Sequence, residues 1–579
     1  MNVRIRSLTL ACCTALAMTF PRGAVAQAAR PPLSASDIDN IAKLEMMEDR
    51  RQVDTIDVTT LARLLTSSHR EVRRRTAITI GRLADKRAIS LLRGHPLDTD
   101  TAVTASIVWA IGQIHDSTTV TWLDSVLTQP RTMPTVAAEA AIALGKIKGG
   151  GNREVLARYL TTTAANPRTQ DAIGEALLSI GRLPRGDLAP IIRWTSSPDS
   201  TIRWSATWAL ARLRDPAGVA TLLAMANDKS GLIRSWAIRG LTRSAADSVG
   251  QMAVAEQVLL HATSDADRTV HTEAIRTLGS YSDSTAIAML AAALNSADSW
   301  ISVSAAEGLG TMRAAWTVPA LAAAAASNRS CAVRITARAS LQAFAQDTSR
   351  PALQAAARDP AIAALAEIAR DTVPYCRSTA VTALRRMTTL PAAGTPARTT
   401  IDSILAANPA SAPQQRPAAA PLTRTFAEYR AIVERWIVPE YMGKARPRAL
   451  WETPRGSIEL ELYPGDAPLA VDDFVRRMEG GFIVGTQFTR VVPDFVDQQE
   501  TTRGGSRLRD EVNRLGLTRA NLAWATAGLD TGNPGYTLGH TPQPHNEGNF
   551  TSMGRVVRGM DVVDRIELGD RVTAARMVP

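Results

Sequence analysis

Arg490 carries the clearest chemical potential in this 579-residue chain. It stands in Phe488-Thr489-Arg490-Val491-Val492-Pro493-Asp494-Phe495, and Gln498 follows three residues after the second ring. An arginine in an alternating strand is ordinarily a surface charge. Held rigidly beside an aromatic ring and a second polar side chain, the same guanidinium can instead donate hydrogen bonds to a bound carbonyl or amide. Metal chemistry has no comparable support, because the seven histidines and four cysteines form no ligand pattern such as His-Glu-x-x-His.

The elements that must hold Arg490 begin near residue 447. Gly456 to Pro464 (GSIELELYP) alternates apolar and polar residues and reads as a strand, while Leu469 to Gly481 (LAVDDFVRRMEGG) has helical periodicity. Six of the chain's eight phenylalanines lie from Phe426 onward, and glycines cluster there as well. The segments GTQFTRVVPDFVDQ, ANLAWATAG and TSMGRVVRGMDVVDRI follow in order. Together, from about Arg448 to Ile566, they resemble the cyclophilin family of peptidyl-prolyl cis-trans isomerases. The resemblance implies a closed β-barrel with covering helices, spanning 447–579, and rotation about X-Pro peptide bonds in proline-containing polypeptides, without a cofactor.

The resemblance also implies the site. Arg490 matches the family's catalytic arginine, Phe495 a residue of the proline pocket, and Gln498 a glutamine that orients the arginine. Ala525 falls where an alanine lines the groove, and the adjacent Thr526 joins it. Other positions depart from the pattern. Gly535 replaces a substrate-contacting glutamine, and Thr537 replaces a pocket phenylalanine, a loss of apolar contact worth about 3 kcal/mol. Phe550 stands where many members have His, and His545 where some have Trp. The usual Leu-Asp-Gly is Asn546-Glu547-Gly548, and the glycine-rich stretch after Gln498 is Gln499-Glu500-Thr501-Thr502-Arg503. Tyr536 and Phe550 are the rings available to rebuild the pocket.

Upstream, a different pattern recurs. Val72/Gly81, Val103/Gly112, Val136/Gly145, Ala172/Gly181, Ile202/Ala211, Val270/Gly279 and Ile301/Gly310 are pairs spaced nine residues apart, mostly repeating every 30 to 36 residues. EVRRRTAITIGRL and TIRWSATWALARL place small and aliphatic residues on one helical face, and turns such as Ser-Pro-Asp-Ser before Thr201 supply N-caps. That period marks stacked helical hairpins, an all-α solenoid over 35–389. It resembles HEAT-type repeats, including the Val-Arg or Ile-Arg step at Arg73, Arg203, Arg234 and Arg334. These arginines read as a ladder paired with neighbouring carboxylates. Trp109, Trp204, Trp208 and Trp236 read as core, with a protein partner on the concave face as the other use for them. Residues 390–425, rich in Pro, Ala and small polar side chains, read as a linker, and 426–446 as a connecting helix.

The N-terminus opens with Arg4 and Arg6, runs apolar from Leu8 to Phe20 and ends in Ala24-Val25-Ala26, the layout of a cleavable secretory signal over 1–28. Export to a periplasm or the extracellular space follows as an expectation, favoured over lipid anchoring at Cys12. No later stretch has the length of a transmembrane span. Cleavage also removes Arg22 and lowers the net charge of +11 by three. The remaining basic excess comes without a block of like charges or a nucleic-acid motif. Cys331 and Cys376 stay in the mature chain, where an oxidising compartment permits a disulfide if their Cβ atoms are close. Two functions fit these readings. One is an exported isomerase and folding helper whose solenoid recruits clients. The other is a weakened or inactive peptide-binding scaffold, favoured by Thr537 and Gly535.

Overall fold

The computed structural model describes residues 30–51, 53–94, 98–327, 330–371, 373–386, 391–409, 424–499, 509–532 and 535–578. The leader at 1–28 and the altered loop at Glu500–Arg503 lie outside them. From Ala35 to Ala407 the described secondary structure is helical. Aspartates start many of the helices: Asp100, Asp199 and Asp298 each accept backbone N–H bonds from the first turn of Thr101–Ile114, Ser200–Leu213 and Ser299–Met312. Residues in the left-handed conformation, His115, Arg214 and Arg313, end the same three helices.

The glycines of the recurring pairs have a packing reason. A Cβ at Gly81 would lie 2.6 Å from the Trp109 ring and 2.8 Å from the Ala110 backbone, one at Gly112 2.8 Å from Ala143, and one at Gly279 2.4 Å from the Cα of Gly308. Each glycine is where the inner helix of one repeat touches the next. The arginine ladder is equally physical. Arg73 pairs with Asp98 at 2.6 Å, Arg203 with Asp228 at 2.8 Å, Arg234 with Asp265 at 2.8 Å, and Arg334 with Asp371. Arg73, Arg203 and Arg234 also donate to turn carbonyls six residues upstream. They tie successive repeats together. Trp109, Trp204, Trp208 and Trp236 are all buried. A disulfide joins Cys331 to Cys376, with Cα atoms 6.0 Å apart, linking helix Cys331–Ala345 to helix Pro374–Arg386.

The stretch read as linker contains a helix, Pro396–Ala407, started by the Thr395 side chain with proline at its first position and burying Ile401 and Ile404. Two apolar side chains at i and i+3 were enough for it to pack. Beyond residue 423 the helix Phe426–Ile432 and its continuation to Tyr441 return to the first helix, Ala35–Arg50. There Arg424 and Tyr429 meet Asp49 at 2.9 and 2.8 Å.

The C-terminal domain is one eight-stranded antiparallel sheet. Its strands are β1 (Arg448–Thr453), β2 (Gly456–Leu462), β3 (Phe488–Val492), β4 (Val496–Gln499), β5 (Asn521–Trp524), β6 (Tyr536–Gly539), β7 (Ser552–Arg558) and β8 (Ala574–Val578), in the order β3-β4-β6-β5-β7-β2-β1-β8. The sheet curls over a core of Trp451, Phe474, Trp524 and Tyr536, with helix Pro468–Glu479 supplying Phe474. The barrel expected to close remains open. Among the described residues no ladder joins β3 to β8; the gap is spanned by an isolated Gln487–Arg571 bridge and by bonds such as Phe488 N–H to Asp570 O at 2.9 Å. The segment at 569–572 forms a single bridge and no strand, so it offers only a few backbone groups to that edge.

Candidate active site

Sheet register builds the groove. Arg490 on β3 faces Gln498 on β4, Gln498 faces Thr537 on β6, and Thr537 faces Ala523 on β5. Residues directly opposite in neighbouring strands project from the same face, so these side chains form a row across four strands. The row lines a groove of about 100 Å³ together with Phe495, Ala525, Thr526 and Phe550. Seven of the nine expected site residues therefore meet in one place.

The remaining two sit differently. Gly535 is buried beside the groove, its carbonyl accepting from Ala525 N–H at 2.8 Å, with no side chain to offer a substrate. His545 lies against Phe495, ring centroids 6.2 Å apart and planes 19° from parallel. Tyr536 points into the sheet core between Trp451, Phe474 and Trp524, so the added ring in the groove is Phe550. Phe495 is fixed through its carbonyl, which accepts from His540 N–H and Gln543 Nε2, both at 3.0 Å. Gln543 and Asn546 also line the groove, and Asn546 donates to Gln543 at 2.9 Å. Sequence reading missed Gln543 because no local pattern ties it to Phe495, 48 residues away.

The electrostatics keep the groove cationic at one point and neutral elsewhere. Arg490 is exposed, and its guanidinium carbon lies 5.5 Å from the Phe495 ring centroid. Partial desolvation lowers its pKa from the ordinary arginine value and Glu307 of the solenoid counters that; a guanidinium stays charged in proteins. Burial, with help from Arg212, Arg239 and Arg182, pushes His545 down to about 4, leaving it neutral.

Those solenoid residues are present because the inner helices lie against the curled sheet. Arg51 reaches Asp530 at 3.1 Å, Arg82 donates to the carbonyls of Val512 and Asp466 at 2.9 and 2.6 Å, and Arg514 meets Glu139 at 2.8 Å. Arg182 donates to Pro544 O at 3.0 Å, and Arg268 to Asp564 O at 2.6 Å. The face expected to hold an outside partner thus meets the chain's own sheet domain along most of its length.

A curled antiparallel sheet with an arginine, a glutamine and aromatic rings in one groove defines a peptide-binding isomerase domain carried on a helical-repeat array. Comparison with known proteins agrees. Residues 449–579 match the family described as cyclophilin type peptidyl-prolyl cis-trans isomerase/CLD, and residues 57–145, 161–242 and 255–342 match HEAT repeats. A peptidyl-prolyl cis-trans isomerase of Synechococcus elongatus is 32% identical over 139 residues, 23% of this chain and 96% of that protein. Peptidyl-prolyl cis-trans isomerase B of Bacillus subtilis is 35% identical over 128 residues, 21% of this chain and 90% of that protein. One from Helicobacter pylori is 36% identical over 129 residues, covering 21% and 79%. Through its C-terminal domain the chain belongs to the cyclophilin-type peptidyl-prolyl cis-trans isomerases.

Proposed function

We propose that this chain is an exported prolyl isomerase that acts on X-Pro bonds of unfolded polypeptides in a periplasm or outside the cell. The observation that carries the reading is the convergence of Arg490, Phe495, Gln498 and Phe550 on one groove. Rotation about an X-Pro bond faces a barrier of about 18–20 kcal/mol because amide resonance must be broken. The proline ring rests against Phe495 and Phe550. Arg490 donates to the prolyl amide as resonance is lost, and Gln498 beside it on β4 fixes the guanidinium. Binding is then tighter to the twisted amide than to either planar isomer. Export is supported by the basic, then apolar, then small-residue order of the first 28 residues. Because the inner face of the solenoid meets the sheet domain, recruitment of clients through that face would require the sheet domain to leave it. We assign the solenoid instead to holding that domain.

The test is cis/trans isomerisation of a short Ala-Pro peptide by the full chain and by Arg490→Ala. Acceleration that falls at least about a hundredfold in the variant is expected, the usual cost of removing a transition-state donor. Equal acceleration by both proteins would remove Arg490 from the reaction. A second reading, a peptide-binding scaffold without catalysis, is favoured by Thr537 and Gly535, and binding of the peptide with no acceleration would establish it.

A further inference from the structure

Three solenoid side chains touch the hairpin that carries the groove's working residues, and a fourth reaches it through His540. On the Arg490 strand, Tyr375 Oη donates to the carbonyl of Thr489 at 2.7 Å. At the turn between β3 and β4, Arg276 Nη2 donates to the carbonyl of Pro493 at 3.0 Å, and Arg239 Nη2 stands 3.5 Å from a carboxylate oxygen of Asp494. Behind β4, Asp497 lies 3.0 Å from His540, whose ring stacks on Trp300 at 4.7 Å between centroids, and Arg268 covers Trp300 at 4.0 Å. These four groups come from helices starting at residues 231, 268, 299 and 374, far apart in sequence.

The contacts are placed where they control geometry. Thr489 precedes Arg490, Pro493 and Asp494 precede Phe495, and Asp497 precedes Gln498. Asp494 adopts a left-handed backbone with φ 52°, a turn conformation that Asp enters more readily than most residues. Its carboxylate is buried at 2% exposure and bound into the Arg239, Glu273 and Arg276 cluster. Asp497 and His540 are equally shut off from water. Buried polar groups of this kind need their partners; the solenoid supplies that of Asp494, through Arg239, while Asp497 and His540 face each other and Trp300 covers the His540 ring. On the open side of the curled sheet, β3 has one strand neighbour among the described residues, β4, and is otherwise held by a few bonds to the 569–572 segment at its Phe488 end and by the solenoid.

We infer that Tyr375, Arg276, Arg239 and Trp300 of the solenoid are positioning residues for the isomerase reaction, holding the β3–β4 hairpin so that Arg490, Phe495 and Gln498 share one groove. None of the four lines the groove. Tyr375 and Arg276 act on the hairpin's backbone, Arg239 on the Asp494 carboxylate and Trp300 through His540 on Asp497, so their loss acts on turnover more than on peptide affinity. The inference rests on the isomerase reading for its kinetic consequence, but not for its structural one.

The experiment compares the full chain with Tyr375→Phe, Arg276→Met and Arg276→Lys by Ala-Pro peptide isomerisation and by amide hydrogen exchange across 488–499. Tyr375→Phe deletes one hydroxyl, and a fall in kcat of about three- to tenfold is expected from the loss of one hydrogen bond, with KM nearly unchanged. Arg276→Met falls at least as far, and Arg276→Lys recovers part of the loss. Exchange speeds up at 488–499 while the Trp451 and Phe474 core stays protected. Wild-type turnover and exchange in folded Tyr375→Phe and Arg276→Met proteins would overturn the inference. So would a loss of activity accompanied by exchange rising equally throughout the sheet. Should the wild-type chain show no isomerase activity, the proposed function fails, and exchange at the hairpin alone decides the positioning role.

Discussion

At the residue scale, one substitution is offset by another. Thr537 stands where a pocket ring was expected, half-buried and donating to Ala523 O at 3.3 Å, and the ring in the groove comes from Phe550. Phe550→Ala should therefore weaken the grip on proline while leaving Arg490 in place. The ring is partly exposed, so about 1–2 kcal/mol of contact is at stake, a rise in KM of roughly tenfold with kcat little changed. Peptide kinetics on the full chain measure this directly, and an unchanged KM would exclude Phe550 from the proline pocket. Arg490, Phe495 and Gln498 were legible because they fall in one short run of chain. Phe550 and Tyr536 were both legible as candidate rings, but which of them enters the groove depends on packing against Trp451, Phe474 and Trp524, and Gln543 left no local signal.

At the scale of elements, the repeat was legible because every unit must solve the same problem: two helices approach closely, so a small residue recurs where they touch. Gly279 is the one of these glycines that comes closest to another helix's backbone. Its helix, Arg268–Leu278, carries Arg276, and the helix it touches, Ser299–Met312, carries Trp300. Gly279→Ala places a methyl group 2.4 Å from the Gly308 backbone, a contact with no flexible side chain to yield. The helices must separate, at a cost of about 1–3 kcal/mol. Chemical denaturation should show that loss. Isomerisation should fall with it, because Arg276 bonds the β3–β4 hairpin and Trp300 packs on His540, which faces Asp497 of β4. The same substitution at Gly149, where nothing lies within 4 Å of the added atom, tests backbone strain alone because its φ is 86°. Closure of the sheet was misread for a related reason. The residues flanking β8 look like any strand edge in sequence, and only the segment at 569–572, with its single bridge, limits pairing with β3.

At the scale of the whole molecule, the association of solenoid and sheet was invisible in sequence, because its contacts join residues hundreds of positions apart and use arginines that elsewhere form the repeat ladder. That interface buries acids. Glu45, Glu48 and Glu511 bring carboxylate oxygens within 4.8 Å of one another, with Arg75 3.1 Å from Glu45 and Arg82 2.6 Å from Glu48. Burial raises Glu45, with Glu48 and Glu511 adding to the rise and Arg75 and Arg82 opposing it. Burial likewise raises Glu511, which faces Arg82 and Glu48 and accepts N–H bonds from Leu469 and Ala470. Asp494 is raised by burial among Arg239, Glu273, Arg276 and His540. Asp510, facing Asp530, Thr551 and Arg51, is pushed up to about 6. A carboxyl whose pKa is higher in the folded chain than in the unfolded one holds a proton that unfolding releases. Its stabilising contribution is complete below the unfolded value and is lost as pH rises through the folded one. His545 works in the opposite sense, but only between about 4 and its ordinary value of 6.5, and Lys146, lowered by burial to about 8, contributes only above that. Between pH 6.5 and 8 the acids therefore dominate. The full chain should melt at a higher temperature at pH 6.5 than at pH 8, and Glu511→Gln, which cannot ionise, should narrow the difference. A melting temperature that rises from pH 6.5 to 8 would mean that these carboxyls are already ionised in the docked state and that Arg75 and Arg82 hold them as ion pairs.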